Sequence, residues 1–164
     1  MRVRFEIVDN LPPTAGTLKY ITADHGFFLE LDPVAALLHG KATASASLMV
    51  DGYLSLDVGI PSGFLYKLDG LHPQTAWRRG RLPAIQPEPC GMRARIDEEL
   101  IPGVGYTLVP EGQWITIHDV ASGWIYVGPE AIVPAERHIG FAANTVAALT
   151  DGQLLAIWLR PEFV

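Results

Sequence analysis

The chain opens on strict alternation. Val3, Phe5 and Ile7 share one face and Arg2, Arg4 and Glu6 the other, the period-two pattern of a half-buried strand. NLPPTAG at 10–16 interrupts it, and FFLEL at 27–31 reads as a second strand. LDPVAALLHG then carries helix punctuation: Asp32 can cap, Pro33 suits the first helical position and Gly40 the stop. Val34, Leu37 and Leu38 would form its apolar stripe.

Two Asp-Gly pairs mark hairpins, because a tight primed turn needs positive φ at both central residues. Around Asp51-Gly52, the residues Leu54, Leu56 and Val58 are expected to face inward and Tyr53, Ser55 and Asp57 outward. Around Asp151-Gly152, Thr150 is expected to pair with Gln153. The strand that follows is apolar on both faces, with Leu155, Ile157 and Leu159 on one and Leu154, Ala156 and Trp158 on the other. It is therefore central in its sheet or part of a subunit contact. A helix over 142–149 competes with the first arm of that hairpin, since Ala is the best helix former.

Between the hairpins, residues 71–93 hold prolines at 73, 83, 87 and 89 and little periodicity, which predicts a long loop. IDEEL at 96–100 is expected to form one helical turn. Flanking identity around the two Asp-Gly turns is too poor for an internal repeat.

Composition narrows the picture. At 164 residues, 49% hydrophobic and 18% charged, the chain fits one domain with a large core and little surface charge. The net charge of −6 opposes general nucleic-acid binding, which needs a basic surface. Nine of the twelve basic residues are Arg, the better interface cation, although a GC-rich genome gives the same bias. Cys90 is the one cysteine, so no intrachain disulfide forms and nothing argues for an oxidising compartment. The first residues lack the apolar run of a signal peptide, and no stretch reaches the length of a membrane span. The expectation is a cytoplasmic protein with no membrane contact.

Candidate chemistry is sparse. In QWITIHD, Trp114, Thr116 and His118 share one side of a strand and Ile115 and Ile117 the other. His118 and Asp119 then point apart, so the dipeptide is not a catalytic dyad by itself. Asp24-His25 reads as a turn, and His39 as a residue near a helix C-terminus. The five histidines at 25, 39, 72, 118 and 138 have no zinc-type spacing, so no metal site is expected. Cys90 lacks the surroundings of an activated thiol, GxSxG is absent, and PGVGY at 102–106 lacks the Lys-Ser/Thr of a phosphate loop. The distinctive cluster is AWRRGRLP. Trp77, Arg78, Arg79 and Arg81 are residue types that dominate binding hot spots. They form either a binding patch for an acidic partner, carboxylate or phosphate, or a solvated loop with Trp77 tucked into the core.

Over residues 111–136, Gly123-Trp124, Gly128 and Pro134 follow a rhythm that resembles the second half of an SH3-like barrel. The aromatic-rich first loop of that family is missing here, so the resemblance implies no ligand groove.

The sequence thus predicts a single mainly-β domain spanning 1–164, an antiparallel barrel or sandwich with one or two short helices. The leading functional expectation is a non-enzymatic protein-binding or assembly module of a bacterial type: an inhibitor, an immunity-like protein or an oligomeric structural subunit. Its partner would be another protein or a second copy, as a homo-oligomer. No catalytic residue and no cofactor is assigned. A small-molecule-binding β-barrel and an enzyme with dispersed His and Asp residues are the alternatives.

Overall fold

In the computed structural model, residues 1–34 and 44–164 are described. The helix expected over 32–40 falls mostly outside them, as does His39; within them, the Val34 N–H donates to the Asp32 carboxylate at 2.9 Å. Pro33 and Val34, where that helix was expected to start, are helical; two one-turn 3-10 helices, Thr22–Asp24 and Gln74–Ala76, are the helices assigned bounds among the described residues, and the remaining regular structure there is β.

The first sheet contains β2 (Gly16–Ile21), β3 (Gly26–Leu31), β4 (Ala44–Val50), β5 (Leu54–Ile60), β6 (Leu65–Leu71), β10 (Gly105–Val109) and β16 (Glu162–Phe163), in the order β10-β4-β5-β6-β3-β2-β16. The second contains β7 (Arg78–Arg79), β8 (Glu88–Pro89), β11 (Ile115–His118), β12 (Ile125–Gly128), β13 (Arg137–Ala142), β14 (Thr145–Thr150) and β15 (Gln153–Leu159), in the order β7-β11-β12-β15-β14-β13-β8. A ribbon of β1 (Val3–Val8) and β9 (Gly91–Ile96) bridges them. Its Phe5 N–H donates to the Gly152 carbonyl of one sheet's turn, and its Ala94 N–H to Gly63 of the other sheet. Among the described residues the sheets do not close into a barrel, and their arrangement is sandwich-like. The segment 111–136 contributes the β11–β12 hairpin to a seven-stranded sheet, so its SH3-like rhythm marks a hairpin rather than that barrel.

The main core lies between the sheets. Leu18, Leu29, Leu48, Leu56 and Leu68 meet Ile125, Val127, Ile139, Phe141, Ile157 and Leu159, with Phe5 and Met92 of the ribbon at the side. Leu54, Leu56 and Val58 all point into this core, as the alternation required.

The Asp-Gly turns form where expected. Thr150 pairs with Gln153 across Asp151 and Gly152, whose φ values are 50° and 72°. The other turn is one residue longer, because Val50 pairs with Leu54 and Tyr53 joins Asp51 (φ 49°) and Gly52 (φ 94°) in the loop. Replacing Gly152 or Gly52 with Val is expected to cost about 1–3 kcal/mol, since a β-branched residue resists positive φ. At Gly152 a Cβ would also sit 2.9 Å from the Arg4 side chain. Thermal melts of the two variants check this, and unchanged midpoints would contradict it.

One competing reading falls and two expectations change. Residues 145–150 are strand and not helix, because they lie between β13 and β15 where extended backbone is paired on both sides. The IDEEL segment forms no helical turn; Ile96 ends β9, and the chain bends away after it. Along β15, Ala148 pairs with Ala156 but Leu149 with Leu154, so Leu155 is the extra residue of a bulge. The alternation therefore shifts, and Leu154 packs with Ile157 and Leu159 on the main core while Ala156 and Trp158 face outward.

The outward face is covered by the same chain. Residues 78–89 leave β7 at one edge of the second sheet and reach β8 at the opposite edge. On the way, Leu82 and Ile85 pack on Tyr126, Val146, Ala148, Ala156 and Trp158. The proline-rich loop is thus a strap over the sheet, and both apolar faces of β15 are buried within one subunit.

Interior neighbours in both sheets pair antiparallel, whereas the four edge strands β10, β16, β7 and β8 each join in parallel. Three of those edges are two residues long, and β10 is five.

Candidate binding surfaces

His118 and Asp119 part company at the end of β11. The Asp119 carboxylate is buried and accepts the Leu82 N–H at 3.0 Å and the Ala121 and Ser122 N–H groups at 3.1 and 3.3 Å. These bonds, the one from Leu82 foremost, hold its pKa below the usual carboxylate value. Asp119 therefore closes a turn and pins the strap to the sheet. His118 turns the other way, edge-on to Trp77 at 5.7 Å and tilted against Phe163 at 5.4 Å. Burial, then the nearby Arg79 charge, lowers its pKa.

These rings belong to an aromatic cluster between the two sheets. Trp77 stacks on Phe27 at 5.9 Å and meets the edge of Tyr20 at 4.8 Å. His72 lies beside both Phe27 and Trp77, shares a 2.5 Å hydrogen bond with the Thr116 hydroxyl, and is 7% exposed. Burial pushes its pKa down to about 4, so it is a neutral core imidazole at pH 7. The Tyr20 hydroxyl donates to the His72 carbonyl at 2.8 Å.

Of the sequence-predicted patch, Trp77 thus lies in this cluster, while Arg78, Arg79 and Arg81 are exposed on the strap. Arg78 pairs with Glu130 at 2.9 Å. Trp77 is half-buried, and the three arginines beside it face solvent.

The other sequence candidates have plain positions. His25 ends the first 3-10 turn with φ 54°, as its turn reading implied. His138 faces the edge of Trp158 at 6.1 Å, and burial lowers its pKa. The Cys90 thiol donates to the Val8 carbonyl at 3.3 Å. Among the described residues, no group of three His, Cys, Asp or Glu side chains gathers in a geometry for a metal.

Two surfaces stand out that the sequence did not single out. One is the open side of β10. Gly105 and Thr107 are exposed, and among the described residues β4 is its sole strand neighbour. Ile101 (59% exposed) and Val104 (38%) precede it, and Tyr53 (61%) lies at the adjacent turn. The other is a cleft of about 550 Å³ where the strap, the 13–15 segment and the β13–β14 turn meet. Its wall carries Arg160, whose guanidinium lies 4.9 Å from the ring centre of Trp124. Its lining includes Thr14, which is 1% exposed and whose hydroxyl has no hydrogen-bond partner among the described residues. Sequence spacing gives no sign of this cleft, because its walls come from five separated segments. Gly123-Trp124 was visible as a strand opening alone.

Comparison of the chain with protein-family models, with curated proteins and with solved structures finds no match.

Proposed function

We propose that the protein is a non-enzymatic protein-binding or assembly module that recruits a partner strand along β10, most simply a second copy of itself. The single observation that carries this reading is the contrast among the sheet edges. Natural sheets protect their edges by keeping them short or by placing Lys, Pro or other charges on them. Three edges here are two residues long, and two of those contain Arg78–Arg79 or Pro89. The five-residue β10, GYTLV, has no charge and no proline, and exposed apolar residues flank it. Antiparallel pairing of two such edges about a two-fold axis would satisfy both backbones at once and leave no open end.

The two-faced apolar strand that first suggested an oligomer no longer supports one, because the strap covers it. The reading now rests on β10 alone. Arg79 and Arg81 offer an alternative contact with an acidic partner at the β7 edge.

Thr107→Lys tests the reading. Thr107 is exposed, so the substitution leaves the core intact while placing a charge on the edge. Light scattering is expected to give a dimer for the wild type at high micromolar concentration and a monomer for the variant. A wild-type monomer at that concentration, or a dimer that Arg79→Ala with Arg81→Ala abolishes and Thr107→Lys does not, would overturn it.

A further inference from the structure

We propose that the cleft at Arg160 binds a small organic carboxylate with an apolar body. This site lies apart from β10 and stands independently of the strand-pairing reading.

Arg160 carries the one charge among the residues that line the cleft. Arg4, Arg78, Arg95 and Arg137 pair with Asp151, Glu130, Glu6 and Glu88, whereas Arg160 has no carboxylate partner among the described residues. Its guanidinium lies instead against the Trp124 ring, and Trp124 in turn meets Trp158 edge-on at 6.4 Å. The cation lies over the ring without a carboxylate neighbour among the described residues, and a guanidinium can receive the two oxygens of a carboxylate. A single cation suits a monoanion better than a phosphate dianion, which draws on several donors or charges.

Thr14 helps to build the rigid wall of the cleft. Both its backbone groups are bonded, its N–H to Phe141 at 2.9 Å and its carbonyl to the Ala143 N–H at 2.8 Å. Its side-chain hydroxyl is closed off from solvent and, among the described residues, has no hydrogen-bond partner, so it shapes the wall without contacting a ligand. The remaining walls, including Ile85, Pro87 and Val146, are apolar and suit a hydrocarbon body. The volume of about 550 Å³ is in the range of small-molecule sites.

The test is a heteronuclear NMR titration of the whole chain with benzoate and hexanoate, each beside its neutral amide, benzamide and hexanamide. Saturable shifts are expected at the Trp124 indole N–H and the Asn144 amide, with each carboxylate bound about tenfold more tightly than its amide, reflecting a charge-assisted fork. Arg160→Gln should remove that preference while the rest of the spectrum stays folded, because Arg160 is exposed. Equal affinity for acid and amide, unchanged affinity in Arg160→Gln, displacement of benzoate by a lower concentration of inorganic phosphate, or no saturable shift with either acid up to about 20 mM would each overturn the proposal.

Discussion

Trp158→Ala is expected to lower folding stability by about 3–5 kcal/mol, the range for truncating a buried large aromatic. Trp158 is 2% exposed on the outer face of β15. It meets Tyr126 at 5.3 Å, Trp124 at 6.4 Å and His138 at 6.1 Å, all edge-on. Its sheet neighbours in this layer, Ala148 and Ala156, are too small to refill the space. A pocket of about 200 Å³, lined by Ile85, Ile132 and His138, already borders the ring, so truncation would join two voids under the strap. Urea unfolding measures the loss. A change below about 1 kcal/mol, ordinary for an exposed position, would mean that the strap does not seal this face. The comparison also separates two kinds of apolar strand: one buried by its own chain, and one waiting for a partner.

The second large effect is on pH dependence. The pKa of His72 in the folded chain is about 4, against an ordinary value of 6.5. A depressed histidine means that the unfolded chain takes up the proton first as pH falls. Its contribution is therefore fully present above about pH 6.5, is lost progressively as pH drops, and is exhausted below about pH 4. The lowering corresponds to about 3 kcal/mol across that window. His118 and His138 are lowered too and act in the same direction. Asp51 and Asp57, raised by burial, act in the opposite direction, so the total slope is not that of His72 alone. Denaturant titrations at pH 7 and pH 4.5 for wild type and His72→Gln isolate it. The wild type should lose more stability on acidification than the variant by a margin of about 2–3 kcal/mol; equal losses would show that His72 titrates normally.

How far the sequence carries depends on which interactions are local. The Asp-Gly turns and the alternation of 54–58 are settled within a few residues, so they were legible. The bulge at Leu155 was not, because it depends on how β14 registers against β15. The strap could not be seen in a stretch with no period, since its order comes from Leu82 and Ile85 meeting a sheet assembled from later residues. Trp77 illustrates the same limit. Next to three arginines it reads as part of a surface patch, yet its partners Tyr20 and Phe27 come from more distant strands and draw it inward. The His118–Asp119 pair was legible because strand geometry alone sends neighbours to opposite faces. The cleft at Arg160 and the unprotected edge at β10 exist only once the strands are ordered, and no local pattern announces either.

The most direct test of the central claim is amide hydrogen exchange along β10 in the wild type, followed from low to high micromolar protein. If β10 pairs with a second copy, exchange at Gly105 and Thr107 should slow as concentration rises, while the amides of β7 and β16 keep the same rates. Fast, concentration-independent exchange at both β10 residues would contradict the claim.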